Sequence, residues 1–152
     1  MIISNHYIAF AHTRLEHGRY SVIFITDEDL LHHGDLWLSI NRNAANLIGF
    51  TFEDVEFGIN APTRNDVQLA IEWGRKVKSE DLIVCCMAGI SRSSAIAYCI
   101  ECTRTDPEQA LNILDKKFHY PNSLIVNYGA KILGKLNMIE NIENWKSLGG
   151  GK

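Results

Sequence analysis

Apolar positions along the chain change their period several times, and each change predicts an element. The run Tyr-Ser-Val-Ile-Phe-Ile-Thr over 20–26 is β-branched and aromatic, and it reads as a buried strand. Gly18 bounds it on one side and Asp27-Glu28-Asp29, read as a solvated turn, on the other. A shorter apolar piece at 7–10 is expected to pair beside it. Residues 46–52 predict a third strand and residues 81–85 a fourth. Between these two, Pro62 and Thr63 open a helix in which Val67, Ala70, Ile71, Gly74 and Val77 recur at helical spacing.

Helical patterning dominates the second half. Residues 93–104 form a largely apolar helix suited to the interior. Asp106-Pro107-Glu108-Gln109 combines an N-cap, a proline at the first helical position and a capping-box partner, which predicts a helix to about residue 118. Pro121-Asn122-Ser123 breaks the chain and starts another, with Leu124, Tyr128 and Ile132 on one face until Gly134. Residues 139–152 predict a final partial turn around Trp145, and 149–152 a disordered tail. Strands early, helices late and strand-helix-strand units between predict an α/β fold: one domain over 1–148, with a central, mainly parallel sheet of four to five strands flanked by helices.

The most informative stretch joins the fourth strand to the helix after it. Leu82-Ile83-Val84-Cys85 is a buried strand that delivers Cys86 to its carboxyl end. Met87, Ala88, Gly89, Ile90 and Ser91 then curl into a loop, and Arg92 begins the next helix. Such a loop aims backbone amides and the positive helix end at one point, where they attract a phosphate dianion and stabilise a thiolate by the same field. Arg92 adds a planar fork for two phosphate oxygens, a geometry lysine does not reproduce. Cys86 is therefore the candidate nucleophile, and residues 87–92 are the candidate phosphate-binding loop.

A phosphate monoester also needs a proton for its leaving oxygen. The loop has no donor for it. Asp54 is the candidate, because it follows the third strand directly and precedes Gly58, Asn60 and Pro62, a stretch able to move as a short flap. Glu53 and Glu56 are the nearby substitutes.

Composition narrows the rest. Hydrophobic residues at 46% and charged residues at 22% are ordinary globular values, and a net charge of -3 gives no global pull towards nucleic acid or anionic membranes. No stretch approaches the roughly 20 apolar residues of a membrane span. The opening Met1-Ile2-Ile3-Ser4-Asn5-His6 lacks the basic and long apolar segments of a signal peptide, so a cytoplasmic protein with reduced thiols is expected. Cys85 reads as a small core residue. Cys99 and Cys102 lie inside a helical run with no second ligand pair, so no metal site is expected. His6, His12, His17, His32, His33 and His119 are scattered and read as surface or loop residues.

Cys86, Gly89, Arg92 and Ser93 reproduce the cysteine, five residues, arginine, then serine or threonine pattern of the cysteine-based protein tyrosine and dual-specificity phosphatases. Ala88, Ile90 and Ser91 resemble the small dual-specificity members, as do the Pro121-Asn122 stretch and the spacing of Asp54 ahead of Cys86. The resemblance implies a dual-specificity phosphatase-like fold and a phosphomonoester hydrolase acting through a cysteinyl-phosphate without a metal or other cofactor. In that scheme Cys86 attacks, Arg92 clamps the phosphoryl group, Asp54 protonates the leaving oxygen, and the Ser93 hydroxyl assists departure of the thiolate. The expected partner is a phosphorylated protein, carrying phosphotyrosine or, in a shallow site, phosphoserine or phosphothreonine; other phosphomonoesters fit the same chemistry. A monomer is expected, with no nucleic-acid or membrane partner. One position departs from the family: the residue before the nucleophile, usually His, is Cys85 here. The competing reading is a catalytically weak module that binds a phosphorylated partner through the same loop.

Overall fold

The computed structural model describes residues 3–7, 19–27, 34–78 and 81–149. Four parallel strands form one sheet, β1 (Ile3–Tyr7), β2 (Tyr20–Thr26), β3 (Asn46–Thr51) and β4 (Asp81–Cys86), in the order β1-β4-β2-β3. Parallel neighbours need crossover connections, and helices supply them. These are α1 (Gly34–Asn43) between β2 and β3, and α2 (Arg64–Lys76) between β3 and β4. After β4 come α3 (Arg92–Glu101), the short α4 (Pro107–Ala110), α5 (Ser123–Leu133) and α6 (Asn137–Ser147).

Both faces of the sheet are covered, as parallel sheets require. Side chains alternate across a strand. Ile23, Ile25, Leu82, Val84 and Cys86 thus join the main core with α2, α3, α5 and α6. Val22, Phe24, Ile83 and Cys85 join a smaller core with Ile40 of α1. The two adjacent cysteines consequently belong to opposite faces. Cys85 is fully buried, and burial, with Cys86 beside it, pushes its thiol far up.

Helix α3 is the hub, buried at every position from Arg92 to Ile100. Its neighbours approach closely through glycine. A Cβ on Gly74 of α2 would come within 2.6 Å of Ile100 Cδ1, and one on Gly129 of α5 would collide with Cys99 Sγ. Gly129→Ala should therefore cost about 1 to 3 kcal/mol through overpacking, read as a lower midpoint in urea unfolding. An unchanged midpoint would show that α5 shifts freely.

Several elements differ from the sequence expectation. The first strand is Ile3–Tyr7 and pairs with β4, not beside β2, and residues 8–10 lie outside the described residues. Helix α1 was not anticipated. Its signal was the helical spacing of Leu36, Ile40 and Ala44, with Asp35 in the first turn and Arg42 in the last.

The helix after Pro107 stops early, passing into a 3-10 turn at Leu111–Ile113 and extended backbone at Leu114. Asp115 explains the stop: its side chain accepts from Lys117 N at 2.8 Å and its own N–H donates to His119 Nδ1 at 2.7 Å. These local bonds replace the helical ladder. Asp106 makes no side-chain capping bond. Towards the end of the chain, a full helix replaces the expected partial turn because Met138, Ile142 and Trp145 are buried on one face. Residues 150–152 of the expected tail lie outside the described residues.

Candidate active site

Strand β4 ends on Cys86, whose side chain is 2% exposed. The chain then bends through 87–91 into α3. Gly89 takes a φ of +69°, a left-handed conformation that a side chain would strain. Met87 and Ile90 are exposed at the loop's outer surface. Among the described residues, no backbone carbonyl accepts from the amides of Ala88, Gly89, Ile90 or Ser91. A curled loop with unpaired amides at a helix start has the character of an anion cradle.

Ser93, on the first turn of α3, is fully buried, and its hydroxyl lies 3.2 Å from Cys86 Sγ in a thiol-to-hydroxyl hydrogen bond. Ser93 stands inside the helix, and the cap position is Ser91. Ser91 makes no capping bond; its hydroxyl donates to Asp54 Oδ1 at 2.8 Å. The loop and the acid segment are thereby joined directly.

Arg92 is 5% exposed. Its Nη1 donates to the Phe52 carbonyl at 2.8 Å and lies 4.0 Å from Asp27 Oδ1. Its Nε is buried without a partner among the described residues. A buried guanidinium N–H left unpaired is costly unless an acceptor arrives, and an anion in the loop would supply one. Asp27, read from sequence as part of a solvated turn, thus faces the loop's arginine.

The segment from Glu53 to Asn60 is braced across its base. Glu53 N donates to Asn60 O at 2.8 Å, and Asn60 Nδ2 donates to Glu53 Oε1 at 3.0 Å. The Glu53 carboxylate is thus occupied in holding its own loop. Asp54, by contrast, meets the 87–91 loop through Ser91.

Sequence reasoning named Asn122 only in a chain break and in the Pro121-Asn122 resemblance, with no role at the site. It is 5% exposed, and its Nδ2 donates to Asp54 Oδ1 at 3.0 Å and to the Val55 carbonyl at 3.4 Å. The backbone runs with it: Tyr120 N donates to Ile90 O at 2.9 Å and Asn122 N to Ser91 O at 3.2 Å. Placing Asn122 just before a helix start was the available signal, but that pattern predicts a cap and says nothing of a partner 68 residues away.

Burial, with Cys102 nearby, raises the Cys99 thiol, and burial pushes that of Cys102 up to about 12. Both are buried in the core. Among the described residues no helix is long and apolar enough to cross a membrane.

No protein-family profile and no curated protein sequence matches this chain. Two crystal structures of Tk-PTP, a protein tyrosine phosphatase, are similar to it in fold. Its active form aligns with a TM-score of 0.54 and 17% identity, over 91% of this chain and 90% of that one. A glycine-to-alanine mutant form aligns with a TM-score of 0.50 and 13% identity, over 97% of this chain and 91% of that one. The chain has a protein tyrosine phosphatase-like fold.

Proposed function

We propose that the protein hydrolyses phosphate monoesters, on phosphotyrosine and other phosphorylated residues of proteins, through a cysteinyl-phosphate intermediate. The observation that carries this reading is the convergence on one loop of Cys86 Sγ, the unpaired Arg92 Nε and the Asp54 carboxylate. In the first step the Cys86 thiolate attacks phosphorus and the P–O ester bond breaks. Asp54 passes its proton to the leaving oxygen, which departs as an alcohol or phenol. Arg92 and the loop amides hold the equatorial oxygens, where charge is spread in the transition state. In the second step Asp54 takes a proton from water, the hydroxide attacks phosphorus, and the S–P bond breaks. Inorganic phosphate leaves, and the Ser93 hydroxyl donates to the departing thiolate.

The acid assignment is tested by Asp54→Asn, which should lower kcat by about 10² to 10⁴-fold for phenyl phosphate. A phosphate with an activated leaving group should suffer much less, and the basic limb of the kcat profile should disappear. An unchanged profile would move the role to Glu56 or away from this loop. Wild-type protein that binds vanadate but turns over neither ester would instead support a phosphate-binding module, the reading that Cys85 in the usual His position keeps in play.

A further inference from the structure

Asn122 stands where three parts of the site meet. Its backbone N–H holds the phosphate loop at Ser91 O, and its side chain reaches both the acid segment and α5. Every polar atom of that side chain is placed. Oδ1 accepts from Ile125 N at 3.1 Å, capping α5, while Nδ2 donates to Asp54 Oδ1 and Val55 O. The Ile125 N–H requires an acceptor opposite it, so the amide orientation is fixed and the NH₂ must face Asp54.

Asp54 Oδ1 therefore receives two donors, Ser91 Oγ and Asn122 Nδ2. The NH₂ of Asn122 can only donate, so its bond to Oδ1 favours the proton that Asp54 delivers on Oδ2. From these contacts, and resting on the reading of Asp54 as the acid, we infer that Asn122 is a positioning residue: with Ser91 it clamps one carboxylate oxygen and leaves the other to carry the proton to the leaving group. The clamp also fastens the acid segment to the phosphate loop and α5 together. The acid is thus oriented by the helical half of the domain as well as by its own loop.

The two duties of Asn122 can be separated by substitution. Serine and aspartate both cap helices well, so Asn122→Ser and Asn122→Asp keep an acceptor for Ile125 N. Serine is too short to keep the donor to Asp54, and aspartate replaces that donor with a like charge. The readout is the ratio of kcat for phenyl phosphate to kcat for difluoromethylumbelliferyl phosphate, because loss of acid catalysis falls hardest on the poorer leaving group. Both variants should lower this ratio by about tenfold or more, with Asp the more severe. The rate at which iodoacetate alkylates Cys86 should stay near wild type in both variants, and Asn122→Asp, which sets a second carboxylate beside Asp54, should also lower the thermal midpoint.

Asn122 variants with a wild-type ratio, measured beside an Asp54→Asn variant whose ratio collapses, would overturn the positioning role and leave the acid assignment standing. If Asp54→Asn itself keeps the wild-type ratio, the acid assignment fails first. An equal loss on both esters, accompanied by slower alkylation, would mean that Asn122 only supports the phosphate loop, and would also overturn the proposal.

Discussion

Cys86→Ser should reduce hydrolysis of an aryl phosphate by about 10⁴-fold or more, with the fold and the anion site intact. A serine hydroxyl in this position has no base beside it among the described residues, where the side-chain partner of Cys86 Sγ is another hydroxyl, that of Ser93. A thiol is by nature far more easily ionised than an alcohol and is the stronger nucleophile. The substitution leaves Arg92, Gly89 and the unpaired loop amides untouched, so vanadate or tungstate binding, followed by calorimetry, should persist. Residual turnover within about tenfold of wild type would exclude a sulfur nucleophile.

The second large effect is expected at Arg92. Arg92→Lys keeps the charge, yet it should lower kcat/KM by about 10² to 10³-fold, the usual cost of losing one well-aimed transition-state donor. The guanidinium divides its donors: Nη1 is committed to the Phe52 carbonyl, and Nε has no partner among the described residues. An ammonium is a compact charge that cannot hold the carbonyl and present a planar fork at once. Since Phe52 lies two residues before Asp54, the same change should loosen the root of the acid segment. Steady-state kinetics with a series of aryl phosphates measures it, and a loss below about threefold would mean that Arg92 is a structural brace only.

The core of the site was legible because its chemistry is contiguous. Strand β4, Cys86, Gly89, Arg92 and Ser93 fall within one short window, so local spacing fixes their relation. The pleat adds the rest, since residues alternate in facing and only one of Cys85 and Cys86 can belong to the main core. That a carboxylate after β3 would stand beside the loop was legible from its place; that Asp54 meets the loop while Glu53 is tied to Asn60 needs the folded segment.

Partners brought together only by tertiary structure were not legible. Asn122 looks like a helix cap in sequence and is one, but its second bond spans to Asp54. Asp27 belongs to a run of acids with the appearance of a solvated turn, until the end of β2 sets it beside Arg92. The helical half shows the same division. Met138, Ile142 and Trp145 carry helical spacing, but the asparagines between them weaken local propensity, and burial decides the outcome. Where Asp115 and His119 capture backbone groups, local bonding ends a helix that periodicity would extend.

The most direct measurement is rapid acid quench of the wild-type protein during turnover of an aryl phosphate, with peptide mass spectrometry. One phosphoryl group should appear on the peptide containing Cys86, rising with the burst of phenol; with an activated aryl phosphate, whose leaving group needs no proton, Asp54→Asn should let more of it accumulate by slowing its hydrolysis. Steady turnover with no phosphoryl group on Cys86 at any time, and no burst, would contradict the covalent mechanism.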